Sequence, residues 1–207
     1  MLLILPVLLG VILALLRGGS LQHLATLRVR GVSAIVASFV IQAVIYVPAV
    51  RDLGPVREHG AAIYLVVLAL MVFGVASNWG LGLAARLVLL GLALNTAVVV
   101  ANGGHMPVNA AALRAEEGLA LVRTIAAHKE FANRMLADRS SRLVAFSDTL
   151  PVSLPFGHGS VCSFGDLFIM LGGGALAYGA TRRRDPRQAD ALPQAVKAPA
   201  GVRPFAG

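Results

Sequence analysis

Residues 87–109 read LVLLGLALNTAVVVANGGHMPVN. Leu87 to Ala101 pass without a charge; then Asn102, two glycines, His105 and Pro107 end the run. A helix with this composition is apolar almost all the way round, which is the pattern of a segment surrounded by lipid or by other apolar helices. Glycine beyond the last turn supplies a left-handed cap and Pro107 cannot continue the helix, so Asn102–Pro107 reads as a helix terminus. His105 and Met106 are not needed for that terminus. They carry ligand atoms for copper or haem iron, but His105 stands in a loop and no span interior holds a histidine.

The rest of the chain repeats the theme. Of its 207 residues 57% are hydrophobic and 14% are charged, where a soluble domain carries about a quarter charged residues. The class is an integral membrane protein. The formal charge of +8 does not point to nucleic acid, because the basic residues gather at segment ends and in the tail without any recognised nucleic-acid-binding pattern. The single cysteine, Cys162, excludes an internal disulfide and a multi-cysteine metal centre. MLLILPVLLG has no basic region before it and no small-residue cleavage site before Arg17, so a retained first span is expected rather than a cleaved signal peptide.

Five transmembrane helices are expected: Met1 to about Leu16, Val32–Val50, Ala61–Ser77, Leu87 to about Ala101 with a start near Leu83, and Phe164–Thr181. The fold class is therefore all-α, a polytopic membrane helix bundle. The loop Arg17–Gly31 holds Arg17, Arg28 and Arg30 without an acid, the turn before the fourth span holds Arg86, and Arg182, Arg183 and Arg184 stop the fifth. The intervening loop balances Arg51 and Arg57 against Asp52 and Glu58. Basic connections alternate with neutral ones, and the positive-inside rule places the N-terminus outside and the C-terminus in the cytoplasm. The domain plan is a transmembrane bundle over 1–184, with 102–163 extracytoplasmic, and a cytoplasmic, disordered Ala/Pro-rich tail over 185–207.

Two segments belong at the surfaces. Ser20 caps a short turn in SLQHLATLRVRG, so Arg17, Arg28 and Arg30 either meet anionic lipid headgroups or form an ordinary basic loop. Beyond Asn109, the residues Leu119, Val122, Ile125, Ala126, Phe131 and Met135 recur at helical spacing among Arg123, Lys129, Glu130 and Arg134. This predicts an amphipathic helical segment, broken at Gly118, lying on the membrane or on a partner.

The polar residues near the spans form a short set: Gln42, Asn95, Asn102, His105 and Asp166. An amide inside hydrocarbon needs a partner from another helix, worth about 0.6–2 kcal/mol. For Asn95 the expected partner is Gln42, with Tyr46 close by on the same helix. Asp166 follows Ser163 by three residues, and SFGD is a capping-box arrangement at the start of the fifth span. Asn102–Pro107 is expected beside Ser163–Asp166, with His105 bonding Asp166. In LGGGALAYG, Gly173 with Ala177 and Ala175 with Gly179 let another helix approach, in this chain or in a partner. No nucleophile–base pair or phosphate loop emerges, although His59, His128, His158 and Cys162 are potential ligands on the outer side. Neither catalytic residues nor a cofactor is expected; a transition metal or a quinone is the alternative.

LLRGGSLQHLATLRVRG (15–31), LNTAVVVANGGHMPVN (94–109) and SFGDLFIMLG (163–172) together resemble an uncharacterised bacterial integral membrane protein family, domain of unknown function number 5317. The likeness runs to about Arg184 and leaves out the charged outer segment and the tail. It implies a multi-span protein of the bacterial plasma membrane and transfers no activity. The expected function is non-catalytic: an accessory or assembly subunit binding another membrane protein, or itself as a homo-oligomer, amid membrane lipids. A solute transporter or channel lined by Gln42, Asn95 and Asp166, and a lipid- or quinone-binding enzyme, are the alternatives. The scarcity of charge inside the spans weighs against a transport path.

Overall fold

Uncharged, β-branched and leucine-rich runs with no interior proline form long helices, and these make the frame. The computed structural model describes residues 3–51, 53–128, 133–153 and 159–182. The long helices are α1 (Ile4–Leu16), α3 (Val32–Tyr46), α5 (Gly54–Ala76), α6 (Leu83–Ala101) and α9 (Phe164–Arg182), with the short α2 (Leu21–Ala25) and α4 (Pro48–Arg51) between them. α5 and α6 are long and apolar enough to cross a membrane, and only 17% and 22% of those spans is buried inside the chain. The buried core helix of a soluble protein would be far better covered.

Boundaries differ from expectation where local chemistry overrides hydropathy. The second expected span breaks after Tyr46 because Val47, preceding Pro48, is held extended at φ −66°, ψ 123°. α5 starts seven residues earlier than its apolar run, because Pro55 suits the first turn and Arg57 and Glu58 continue a helix readily.

The long helices form a row. α1 packs on α9, α9 on α6, α6 on α5 and α5 on α3. Glycines set the close crossings. A Cβ on Gly172 would meet the Ala84 carbonyl oxygen at 2.6 Å and the Val88 amide at 2.7 Å, and one on Gly174 would meet the Pro6 carbonyl at 2.8 Å. At one end Asn78 ties the α5–α6 turn to the loop before α3: its Nδ2 donates to the carbonyls of Arg30 and Gly74, both at 2.7 Å, and its Oδ1 accepts from the Arg30 amide at 2.8 Å.

At the other end sits a cap, residues 102–163. The expected single amphipathic segment is here a small mixed α/β fold. Asn109 caps α7 (Ala110–Glu116), and its Oδ1 accepts from the amides of Ala111 and Ala112. Gly118, at φ +96°, ends that helix where the break was expected, before α8 (Leu119–His128). Strands β1 (Met106–Val108) and β2 (Arg134–Leu136) pair in parallel, and β3 (Leu150–Val152) pairs antiparallel with β4 (Ser160–Cys162). The correction has a packing cause. Ile125 and Val122 close on Val108, Leu113 and Val161, so this part of the apolar stripe lies in the cap's own core, while Leu119 and Ala126 stay exposed. Lys129, Glu130, Phe131, His158 and the tail from 185 lie outside the described residues.

Candidate functional site

The polar site begins with a helix start. Ser163 precedes α9; its Oγ accepts from the Asp166 amide at 3.0 Å, and Asp166 Oδ2 accepts from the Ser163 amide at 3.0 Å. This is the capping box expected from SFGD. α6 then brings Asn95 against it. Asn95 Nδ2 donates to Asp166 Oδ1 at 2.9 Å, and Ser163 Oγ donates its proton to Asn95 Oδ1 at 2.8 Å. Asn95, Ser163 and Asp166 thus close a ring, completed through the backbone amides of Ser163 and Asp166. The amide orientation follows: the Asp166 carboxylate only accepts, so the Asn95 atom facing it is the amide nitrogen, which leaves Oδ1 to take the serine proton.

The ring exists because two glycines let the backbones meet. A Cβ on Gly165 would run into the Asn95 side chain and stand 2.6 Å from the Gly91 carbonyl oxygen; one on Gly91 would stand 2.9 Å from the Ile169 amide. Neither glycine stands out in the sequence, since small residues are common in apolar helices. The signal that could have found them is their spacing from Asn95 and Asp166, four residues and one.

Asn95 does bond to another helix, but that helix is α9. Gln42 lies on α3, which packs on α5 and makes no extended contact with α6. Asn102 performs a different task. Its Nδ2 donates to the carbonyls of Val98 at 2.7 Å and Arg142 at 2.9 Å, and its Oδ1 accepts from the Arg142 amide at 2.8 Å, pinning a cap loop to the end of α6. Gly103 and Gly104 have φ of +67° and +100°, and the Gly104 amide returns to the Val99 carbonyl at 2.9 Å. The helix-end reading of this stretch holds. The carboxylate that His105 was expected to meet accepts from Asn95 and from the Ser163 amide. Gly104 approaches Ala61 of α5, where a Cβ would lie 2.5 Å from the Ala61 Cβ.

The small residues of α9 serve contacts within the chain. Gly173 lies against Val7 of α1, and Ala177 is buried. Ala175 and Gly179 instead line an open recess of about 210 Å³ with Leu27, Leu81, Leu83, Ala84, Leu176 and Ala180. Recesses that bury a drug-sized ligand usually exceed about 300 Å³, and this one has no polar side chain to orient a guest. Arg17, Arg28 and Arg30 stand at this same end, as does Arg86, whose guanidinium lies 5.0 Å from the Trp79 ring centre.

A second polar group lies within the cap. Arg134 makes a forked pair with Glu117 at 2.9 and 3.0 Å and reaches Asp148 at 3.5 Å. Asp148 is buried, and its carboxyl is pushed up to about 7, chiefly by that burial; Arg134 pulls the other way, while Asp166 and Glu117 add to the rise. Cys162 is also buried and its thiol is pushed up to about 12 by burial and by the nearby Asp166 and Asp148 carboxylates, with Arg134 opposing and Glu117 adding to the rise. Such a thiol is not a nucleophile at neutral pH. Among the described residues no three His, Cys, Asp or Glu side chains come together as a metal site. What this arrangement does chemically is hold helix ends and cap strands in register.

No curated protein and no solved structure matches the chain. A family profile does: that of DUF5317, a family of unknown function, matches residues 26–177, from the basic loop through the cap to the small residues of α9. That span covers well over half of the chain, and the protein belongs to this family.

Proposed function

We infer that the protein is a non-catalytic, multi-span protein of the bacterial plasma membrane that works as an accessory or assembly subunit, binding a membrane partner or a second copy of itself. Five spans, α1, α3, α5, α6 and α9, carry it across the bilayer, with the cap outside and the C-terminus in the cytoplasm. The observation that carries this reading is the closed Asn95–Ser163–Asp166 ring. Asp166 stands at the start of α9, and both its oxygens are bound within the chain, so it offers nothing to a passing ion.

Two further features support it. A row of helices leaves broad apolar faces uncovered: Leu8, Ile12, Phe39, Val40, Val66 and Phe73 are all about half exposed or more. Such faces need lipid or another protein against them. Positive charge supports the orientation, since Arg17, Arg28, Arg30, Arg86 and Arg182 gather at one end with no carboxylate among the described residues there, while the other end mixes arginines with Glu58, Glu116, Glu117, Asp138, Asp148 and Asp166. Purification in mild detergent followed by native mass spectrometry tests the reading. A second membrane protein, or a second copy, at fixed ratio is the expected result. Solute flux in proteoliposomes of the chain alone, abolished by Asn95→Leu at unchanged melting temperature, overturns it in favour of a transporter.

A further inference from the structure

At the basic end two guanidinium groups converge on one phenol. Arg17, just past the end of α1, donates from Nη1 to the Tyr178 hydroxyl oxygen at 3.2 Å, and Arg182, at the end of α9, donates from Nη1 to the same oxygen at 3.1 Å. Arg182 also lies 5.8 Å from the Tyr178 ring centre. The parallel packing of α1 on α9 forces the meeting: Gly10 sits against Gly174 and the Tyr178 backbone, which brings both helix ends to one level.

The arrangement is electrostatically incomplete. Two cations are bridged by one oxygen that carries no charge. None of the carboxylates in the described residues lies at this end, and neither guanidinium has one as a partner. The phenol accepts from both arginines, which leaves its own O–H to donate. Each guanidinium retains unused N–H groups, and Arg17 and Arg182 are both exposed. Two exposed guanidinium groups meeting at one hydroxyl match a group with several acceptor oxygens and a negative charge.

We propose that Arg17, Tyr178 and Arg182 form a binding site for the phosphate of an anionic phospholipid. The proposal rests on the membrane reading above, which puts this end at headgroup level. The apolar residues next to the site fit an acyl chain: Leu16 is 78% exposed one residue before Arg17, and Leu171 is 64% exposed on α9. A free phosphate ion has the same oxygens but gains nothing from that surface.

The test is native mass spectrometry of the full chain in detergent, titrated with phosphatidylglycerol, with phosphatidylcholine or with inorganic phosphate. Wild type is expected to retain phosphatidylglycerol over phosphatidylcholine. Arg17→Gln with Arg182→Gln should weaken that retention about tenfold or more, the scale of one lost charge-assisted bond. Tyr178→Phe should weaken it less, and Arg123→Gln with Arg139→Gln, an equal change of charge at two exposed positions of the cap, should leave it unaltered. Equal loss in that cap double variant overturns the proposal, because the attraction is then one of net charge alone. Displacement of the lipid by inorganic phosphate overturns it as well. Retention of the Arg17 and Arg182 double variant in carbonate-washed membranes, with an unchanged melting temperature, separates failure of the site from failure of the membrane reading.

Discussion

Asn95 shows how one polar atom in an apolar helix finds its place. Its two ends read opposite chemistry on α9, a carboxylate for the amide nitrogen and a hydroxyl for the oxygen. Replacement by leucine leaves Asp166 Oδ1 and the Ser163 proton without partners, so Asn95→Leu should lower stability by about 1–3 kcal/mol in thermal melts in detergent. A melting temperature equal to wild type would remove the ring from the account of α6–α9 packing. Asp148 supplies a pH signature. Its carboxyl stands at about 7, against about 3.9 in an unfolded chain. The folded protein therefore binds this proton more tightly than the unfolded chain does. The resulting stability is present at acid pH and is lost as pH rises through about 7. The difference in bound protons is confined to about pH 4 to pH 7, so Asp148→Asn should flatten the melting temperature across that interval. A wild-type melting temperature that climbs over that interval would contradict the buried, proton-holding carboxyl.

Between elements, glycines decide which helices touch. α9 presents Gly165 and Gly172 to α6 and Gly173 and Gly174 to α1, so a single small-residue helix serves two neighbours. Gly165→Ala should cost about 1–3 kcal/mol, because the new methyl group must displace Asn95 or push the backbone of Gly91 away. Gly179, two turns further along from Gly172, has nothing within 4 Å of an added Cβ. Gly179→Ala should leave stability unchanged or raise it by about 0.5–1 kcal/mol through helix propensity. Guanidinium or thermal denaturation of the two variants side by side gives the comparison. Equal effects would mean that helix propensity, not the α6–α9 contact, sets the stability of this pair.

For the whole molecule, the row of helices gathers arginines at one end with no carboxylate among the described residues there. The proposed topology rests on that gathering, and single cysteines at Arg123 and Arg187 in a Cys162→Ser background test it. An impermeant reagent added to intact cells should label the first and spare the second. The reverse pattern would turn the protein over in the membrane and place the arginine end outside.

The run Leu87–Ala101 was enough to establish a helix, and VVVANGGHMPVN was enough to end it, because glycine conformations and the missing proline amide act on the few residues beside them. Ser163 and Asp166 were legible for the same reason: a capping box spans three residues of one chain. The other participants were not. Asn95 takes its partners from residues about seventy positions away, and no spacing rule distinguishes Ser163 and Asp166 from Gln42 until α6 and α9 lie side by side. Val122 and Ile125 looked amphipathic in isolation; only the fold of the cap shows that Val108, Leu113 and Val161 cover them. Arg17 and Arg182 read as two separate segment ends, and it is the close crossing at Gly10 and Gly174 that sets them on one tyrosine. Hydropathy, capping and charge act locally, so the sequence alone determined that the long helices form and which connections are basic, although Pro48 and Pro55 moved two of the ends. Contacts between distant residues depend on which backbones can approach, and that was decided by the tertiary structure.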